Sequence, residues 1–291
     1  MTKQTFLIPV YDDWRSLNLL LQKINKELMA ASKAGHILIV NDFSSTLPKF
    51  DIKSLKNIEE IKLINLNKNL GSQKSIAIGL KYLKEKNESE IITIMDSDGE
   101  DDPQKINEMT TLAEIDHNYV ITSNRTNRKE NLLFKFFYIL HKVLTFLFTS
   151  HWISFGNFSS FHSKNLSEIL KENSVWLAYS SSVSLNCKIK RKYAKRRERY
   201  FGESKVNFLN LVLHSFRVIS VLYLRVMFFS MFYILICINL FYVFKNYIFL
   251  FITLFIILLN LIIQIIRYKN NINELNNWKI FIQEVNLVNQ Y

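Results

Sequence analysis

The chain is poor in the residues that punctuate and staple proteins, with 3 prolines, 6 glycines and 2 cysteines among 291 residues. So little proline and glycine excludes collagen-like and low-complexity classes and leaves no visible linker between domains. No repeat at solenoid spacing occurs. Cys187 and Cys237 stand too far apart for a metal-ligand spacing and read as free thiols of a reducing compartment. No GxGxxG follows the first apolar run and no P-loop is present, so dinucleotide-dependent redox and P-loop phosphoryl transfer lose their usual marks. Helix-turn-helix and zinc-finger spacings are also missing. The net charge of +12 suits a polyanionic or lipid partner. Aromatic residues are not interleaved through the basic cluster at residues 188–199, which argues against nucleic acid. His141, His151, His162 and His214 share no ligand spacing and read as structural.

What the chain does have is a concentrated acidic run, Met95-Asp96-Ser97-Asp98-Gly99-Glu100-Asp101-Asp102, directly after the apolar residues Ile91 to Ile94. A β-branched apolar run of that length reads as a buried strand, and carboxylates at its C-terminal end lie where open α/β sheets bind ligands. Asp96 and Asp98 are two apart and point the same way on an extended chain; Glu100 joins them if the extension continues. Hard oxygen ligands of this kind hold Mg²⁺ or Mn²⁺, which would screen a diphosphate as it leaves. An acidic, solvated turn ahead of Pro103 is the plain alternative.

Upstream, strand-like and helix-like segments alternate: strands at 5–10, 36–40, 61–66 and 91–95, helices at 14–31 and 72–86, and a further strand at 119–123. That alternation predicts right-handed crossovers and a mainly parallel, Rossmann-like sheet. Downstream, residues 226–244 and 247–266 carry no charge, and each run is long enough to cross a hydrocarbon core of about 30 Å. They predict a transmembrane hairpin with only Lys245 and Asn246 between its helices. Arg217 and Arg225 precede it and Arg267, Lys269 and Lys279 follow it, which by the positive-inside rule sets both termini on the cytoplasmic side of the inner membrane. Met1 leads almost directly into a strand, so no signal peptide is expected. The apolar, aromatic stretches 132–148 and 208–224 suit helices lying in the headgroup plane, with core packing as the alternative. The expected organisation is therefore a catalytic α/β domain over 1–215, a juxtamembrane helix and hairpin over 216–270, and a cytoplasmic tail over 271–291.

The ordered series IPVYDD, IVNDFSS, NKNLGSQKSIAIGL, MDSDGEDDP, SNRTNR, GNFSSF and RERYFGESKVNF resembles the family 2 glycosyltransferases of GT-A fold. It is most similar to their membrane-attached branch, which holds dolichol-phosphate mannosyltransferase and bacterial undecaprenyl-phosphate glycosyltransferases. The likeness spans residues 4–215, and paired C-terminal helices also occur in that branch. It implies that Pro9, Tyr11 and Asp13 hold base and ribose, and that Asp42 reads the base. Asn41 and Phe43 depart from the usual carboxylate and glycine beside it. A turn or N-cap carboxylate is the plainer reading of Asp42. Asn69 and Gly71 would line the donor loop, Asp96 the nucleotide-sugar side, and Asp98 with Glu100 the metal, Mg²⁺ or Mn²⁺. Asp101 and Asp102 are left to cap the turn.

On the acceptor side the resemblance implies Arg125, Arg128, Arg199, Ser204 and Lys205 as phosphate-binding, with Arg199, like Asp96 and Asp98, also counted as catalytic. A basic patch on anionic lipid is the alternative for residues 188–199. Asn157 stands where many relatives carry Asp, which weakens any general base there. Trp176 and Tyr179 could stack on a sugar or anchor at a membrane.

The function expected is an inverting, metal-dependent transfer of a sugar from a nucleotide sugar to a membrane acceptor, a polyprenyl phosphate. A homo-oligomer is compatible with that reading. Its rivals are transfer to a glycan or lipid hydroxyl in envelope polysaccharide synthesis, and a catalytically silent membrane scaffold.

Overall fold

The structure, a computed structural model, describes residues 3–46, 50, 52, 54–126, 132–202 and 208–288. The chain divides into two compact units. The first comprises Met1–Arg128, Phe155–Ser204 and Asn273–Tyr291, the second Lys129–Ser154 and Lys205–Ile272.

The first unit begins with strand β1 (Gln4–Val10), helix α1 (Trp14–Ala30), strands β2 (Gly35–Asn41) and β3 (Ile58–Leu66), helix α2 (Ser72–Lys86) and strand β4 (Ile91–Ile94). Helix α3 (Ile106–Ile115) leads to strand β5 (Tyr119–Thr126). The described strands form one eight-stranded sheet that also takes β6 (Ser159–His162), β7 (Lys188–Lys195) and β8 (Ile282–Leu287), in the order β7-β5-β6-β4-β1-β2-β3-β8. β4, β1, β2 and β3 run parallel, whereas β6 is antiparallel to β4 and β5, and β8 is antiparallel to β3. The parallel strands are apolar on both faces because helices cover both, and all seven residues of β1 are buried.

Pro9 survives in this central strand because of where β4 ends. The Leu7 carbonyl accepts from Met95 N–H on the β4 side, so by alternation Pro9 faces that side too, two residues past the end of the β1–β4 pairing. Its missing N–H therefore orphans no ladder partner.

Helix α2 lies so close to the sheet that a Cβ on Gly79 would meet Leu7 Cδ1 below van der Waals contact and Val40 Cγ2 at 3.2 Å. Gly79→Ala is expected to destabilise the fold by about 1–3 kcal/mol through overpacking, outweighing the roughly 1 kcal/mol helix-propensity gain of alanine over glycine. A denaturant midpoint equal to wild type would contradict this close approach.

Two segments differ from their sequence reading. Residues 188–195, basic and without an apolar run, form β7, which pairs in parallel with β5 at the sheet edge. Lysines suit an edge strand because they discourage pairing with another chain. Residues 282–287, expected to lie in a tail, form β8 on the opposite edge against β3.

The second unit is helical: α4 (Leu132–Thr149), α7 (Phe208–Val221), α8 (Tyr223–Phe244) and α9 (Ile248–Lys269), the numbers between falling to the short helices α5 (Leu166–Ile169) and α6 (Tyr179–Asn186) of the first unit. Phe148, Ile219, Val226, Ile256, Leu259 and Ile263 form its core. α8 and α9 are long and apolar enough to cross a membrane, and only 17% of each apolar window is buried, unlike the core helix of a soluble protein. The turn between them uses the two residues expected. Lys245 ends α8 at φ +52°, and Asn246 Oδ1 accepts from Ile248 N–H at 3.0 Å. Within the hairpin Asn260 Nδ2 donates to Ser230 Oγ at 2.8 Å, satisfying a polar group among apolar neighbours. Cys187 and Cys237 are both free thiols.

Candidate active site

Because β1, β2, β3 and β4 are mutually parallel, the loops that leave them share one edge of the sheet, where such folds bind ligands. Those loops carry Tyr11 to Asp13, Asn41 to Thr46, Asn67 to Gly71 and Met95 to Asp102.

The β2 loop is built by side chains replacing backbone partners. Asn41 Oδ1 accepts from Ser44 N–H at 3.0 Å while its Nδ2 donates to Asn65 Oδ1 at 2.7 Å, so this position uses both an acceptor and a donor, which an ionised aspartate could not supply. Phe43 takes φ +62°, the left-handed conformation that glycine adopts more easily. Asp12 accepts from the Ser45 and Thr46 amides and hydroxyls; burial acts to raise its pKa, but these bonds together outweigh it and hold the carboxyl below the usual range.

Asp42 is 2% exposed, and both its oxygens are engaged: Oδ1 accepts from Leu70 N–H at 2.7 Å and Oδ2 from Gly71 N–H at 2.8 Å. Burial raises its pKa despite those bonds. It thereby ties the β2 loop to the residues just ahead of α2. Gly71 has φ +88° with open space where a Cβ would lie, so its glycine is required by backbone conformation. Asn69 is exposed on this loop and Tyr11 is 43% exposed.

The β4 loop turns sharply. Gly99 has φ +86°, and the Tyr200 ring packs against it so closely that any Cβ would clash. The turn interrupts the extended run on which Glu100 would have joined Asp96 and Asp98. Glu100 faces Arg196 instead, accepting from Nε at 3.0 Å and Nη2 at 2.8 Å. Asp102 caps the turn at Pro103–Lys105 by accepting from Gln104 N–H and also pairs with Arg197 Nε at 2.8 Å. Asp101, 2% exposed, accepts from Asp96 N–H at 3.1 Å.

Asp98 and Asp13 meet through Arg199, whose Nη1 donates to Asp98 Oδ2 and Nη2 to Asp13 Oδ2, each at 2.9 Å. Asp98 is held up to about 7, first by burial and next by the neighbouring Asp96. Backbone bonds lay residues 197–200 along the same loop, Arg197 N–H donating to the Glu100 carbonyl and Tyr200 N–H to that of Asp98, both at 3.0 Å. Arg199 Nε and Tyr200 Oη on this segment are among the buried polar atoms of the described residues that have no hydrogen-bond partner. The basic run at 196–199 therefore pairs with part of the acidic run at 96–102, Arg196 with Glu100, Arg197 with Asp102 and Arg199 with Asp98. Both were visible in the sequence as dense charge of one sign, a signal for pairing that the sequence reading left unused.

Asp96 has a partner that sequence reasoning missed. Asn157 Nδ2 donates to Asp96 Oδ1 at 2.9 Å, Gln73 Nε2 donates to Asn157 Oδ1 at 3.1 Å, and Gln73 Oε1 accepts from Tyr179 N–H at 2.8 Å. Asn157 thus donates to Asp96, where a carboxylate would repel it. Trp176 and Tyr179 are 1% and 0% exposed, with Tyr179 Oη bonded to Ser159 Oγ at 2.7 Å, so they serve the core and neither stacks at a surface. Arg125 lies at the end of β5, opposite Ala194; its side chain, and Arg128, Ser204 and Lys205, are outside the described residues.

No three His, Cys, Asp or Glu residues among those described form a metal-holding group. Asp98 beside Asp96 offers hard oxygen donors of the kind that hold a divalent cation together with substrate phosphates; in this structure its Oδ1 accepts from Glu100 N–H and its Oδ2 from Arg199 Nη1, each at 2.9 Å.

A mainly parallel sheet with carboxylate-bearing loops on one edge, ahead of long apolar helices, is the GT-A glycosyltransferase architecture. The chain belongs to glycosyl transferase family 2, whose family model matches residues 5–170. It is similar to the undecaprenyl-phosphate 4-deoxy-4-formamido-L-arabinose transferase of Proteus mirabilis (strain HI4320), with 24% identity over 221 residues covering 73% of this chain. The match spans only 65% of that relative's length. The enzyme of the same name from Salmonella choleraesuis (strain SC-B67) is 28% identical over 136 residues, 46% of this chain and 40% of that one.

Among solved structures, mannosyl-3-phosphoglycerate synthase from Rubrobacter xylanophilus shares the fold with TM-score 0.55 and 13% identity, covering 78% of this chain and 74% of that one. Glucosyl-3-phosphoglycerate synthase from Mycobacterium tuberculosis, solved with Mn²⁺, UDP and glucosyl-3-phosphoglycerate, gives 0.52 and 9%, with coverage of 77% and 80%.

Proposed function

We propose that this family 2 glycosyltransferase moves a sugar from a nucleotide sugar to a polyprenyl phosphate at a membrane, with inversion at the anomeric carbon. The observation that carries the reading is the meeting of Asp13, Asp98 and Arg199, from three distant parts of the chain, at the ligand-binding edge of the sheet. The acceptor class is supported by relatives that bear the undecaprenyl-phosphate name and by two helices long enough to span a bilayer.

In this reading Pro9, Tyr11 and Asp13 border the base and ribose, Asn69 and Gly71 the donor loop, and Asp96 the sugar diphosphate. Asp42 acts by ordering the donor loop. Asp98 would hold Mg²⁺ or Mn²⁺, with Asp96 as its neighbouring carboxylate and Glu100 kept back by Arg196. The cation, when bound, supplies positive charge to the departing diphosphate.

The acceptor phosphate is an anion at neutral pH, so its oxygen attacks the anomeric carbon without a general base. A new carbon–oxygen bond forms on one face as the bond to the diphosphate breaks on the other, and the electron pair leaves with the nucleoside diphosphate. The engagement of Asn157 with Asp96 accords with a mechanism that needs no base there. Arg199, with its unpartnered Nε, supplies a guanidinium for the incoming phosphate, assisted by Arg125, Arg128, Ser204 and Lys205. The positively charged flanks of α8 and α9 set the catalytic unit and both termini on the cytoplasmic side.

The test is purified full-length protein with Mn²⁺, undecaprenyl phosphate and a panel of nucleotide sugars. Release of nucleoside diphosphate with formation of a lipid-linked sugar is expected for one donor. A folded protein that turns over none of them rules the reading out.

A further inference from the structure

The segment that follows α9 reaches back into the first unit and grips one loop at several points. Asn67 is held twice, its backbone N–H donating to the Phe281 carbonyl at 3.0 Å and its Nδ2 to the Ile280 carbonyl at 2.8 Å. Asn65 Nδ2 donates to Glu284 Oε1 at 2.8 Å, and Asn65 Oδ1 accepts from Asn41 Nδ2, so a file of side chains runs from β8 to the end of β2, next to Asp42. Phe281, 4% exposed, lies against Trp176 at 5.5 Å between ring centroids and carries Lys68 Nζ 5.0 Å above its ring. Lys74, in the first turn of α2, pairs with Glu274 at 3.7 Å.

These contacts bracket residues 67–74. The same stretch offers Leu70 and Gly71 to Asp42 and leads through Gln73 and Asn157 to Asp96. The loop is thus held by Asp42 within the sheet edge and by the C-terminal segment from the strand beside it.

We infer that residues 272–287 are a positioning element for the donor loop, with Glu284 and Phe281 acting on ligand binding through Asn65, Asn67 and Lys68. The inference rests on the donor-loop assignment made under Proposed function. Ordering backbone costs conformational entropy, and a loop already fixed by β8 spares an incoming nucleotide that cost.

The experiment compares full-length wild type in detergent with the surface double variant Asn67→Ala/Glu284→Ala and with Glu284→Gln, which keeps an acceptor for Asn65. Isothermal titration with Mn²⁺ and UDP, GDP, dTDP, ADP and CDP measures nucleotide affinity, steady-state kinetics gives donor and acceptor KM, and thermal unfolding reports stability. The double variant is expected to weaken nucleotide binding about tenfold, the worth of one to two hydrogen bonds, and to raise donor KM alike with acceptor KM unchanged. Glu284→Gln should stay near wild type. Unchanged nucleotide affinity in the double variant, whatever its melting temperature, overturns the inference by leaving the segment a purely structural role. A wild type that binds none of the nucleotides removes the donor-loop assignment itself, and the inference with it.

Discussion

Asp98→Ala is expected to lower nucleoside diphosphate release about a thousandfold, the scale seen when a group that stabilises developing transition-state charge is removed, and to abolish its dependence on Mn²⁺. Three observations concentrate the effect on this residue. Asp98 is buried, it sits beside Asp96, and burial together with that neighbour holds its pKa at about 7 instead of 3.8. The Arg199 guanidinium offsets part of that crowding, and a proton or a divalent cation would relieve the rest. In the cation-free protein the folded state binds the proton more tightly than the unfolded chain does, so this group's contribution to stability declines as pH climbs from 3.8 towards 7. A bound divalent cation reverses the preference by favouring the ionised form, so Mn²⁺ affinity should rise with pH up to about 7 and level off above it. Calorimetry at several pH values measures this directly, with Asp98→Asn as a variant of matched shape. Turnover that stays metal-dependent in Asp98→Ala would overturn the metal assignment.

Arg199→Ala carries the second large effect, and the structure widens what the sequence led us to expect. Loss of a purely acceptor-binding arginine should raise acceptor KM and leave the donor side alone. Arg199 instead also bridges Asp13 and Asp98, with its side chain 21% exposed and theirs 15% and 17%. Its loss leaves two largely buried carboxylates facing each other. Breaking a fully buried pair costs about 3–5 kcal/mol, and partial exposure should hold this one nearer the lower end. The expected result is acceptor KM at least tenfold higher, weaker nucleotide binding, and a lower melting temperature that Mn²⁺ partly restores by occupying the carboxylates. Arg199→Lys should recover charge but not both bonds, since an ammonium cannot form the same planar fork. An acceptor KM equal to wild type would remove Arg199 from the acceptor side and leave it a structural bridge.

Much of the fold could be read from one-dimensional pattern, and the reasons are physical. The strands at 5–10, 36–40 and 91–95 are β-branched and apolar because both faces of a parallel sheet are covered, and helix 72–86 was matched residue for residue by α2. The hairpin was equally plain, since the length of an uncharged run is a local property. β7 and β8 were not legible. Edge strands bury little, so Lys188–Lys195 and Ile282–Leu287 carry no periodic apolar signal, and their partners lie far away in the chain.

The candidate site divides along the same line. Carboxylates at the ends of successive strands and the seven ordered motifs were set by sequence alone, because topology carries the ends of parallel strands to one edge whatever the side chains do next. Which of those carboxylates share a partner was decided by tertiary structure. Gly99 turns the chain and hands Glu100 to Arg196, Asp42 closes on the amides of Leu70 and Gly71, Asn157 reaches Asp96, and Arg199 joins Asp13 to Asp98 across the sheet edge. Hydrogen bonds and ion pairs act over about 3 Å, and only the folded chain sets which groups come that close.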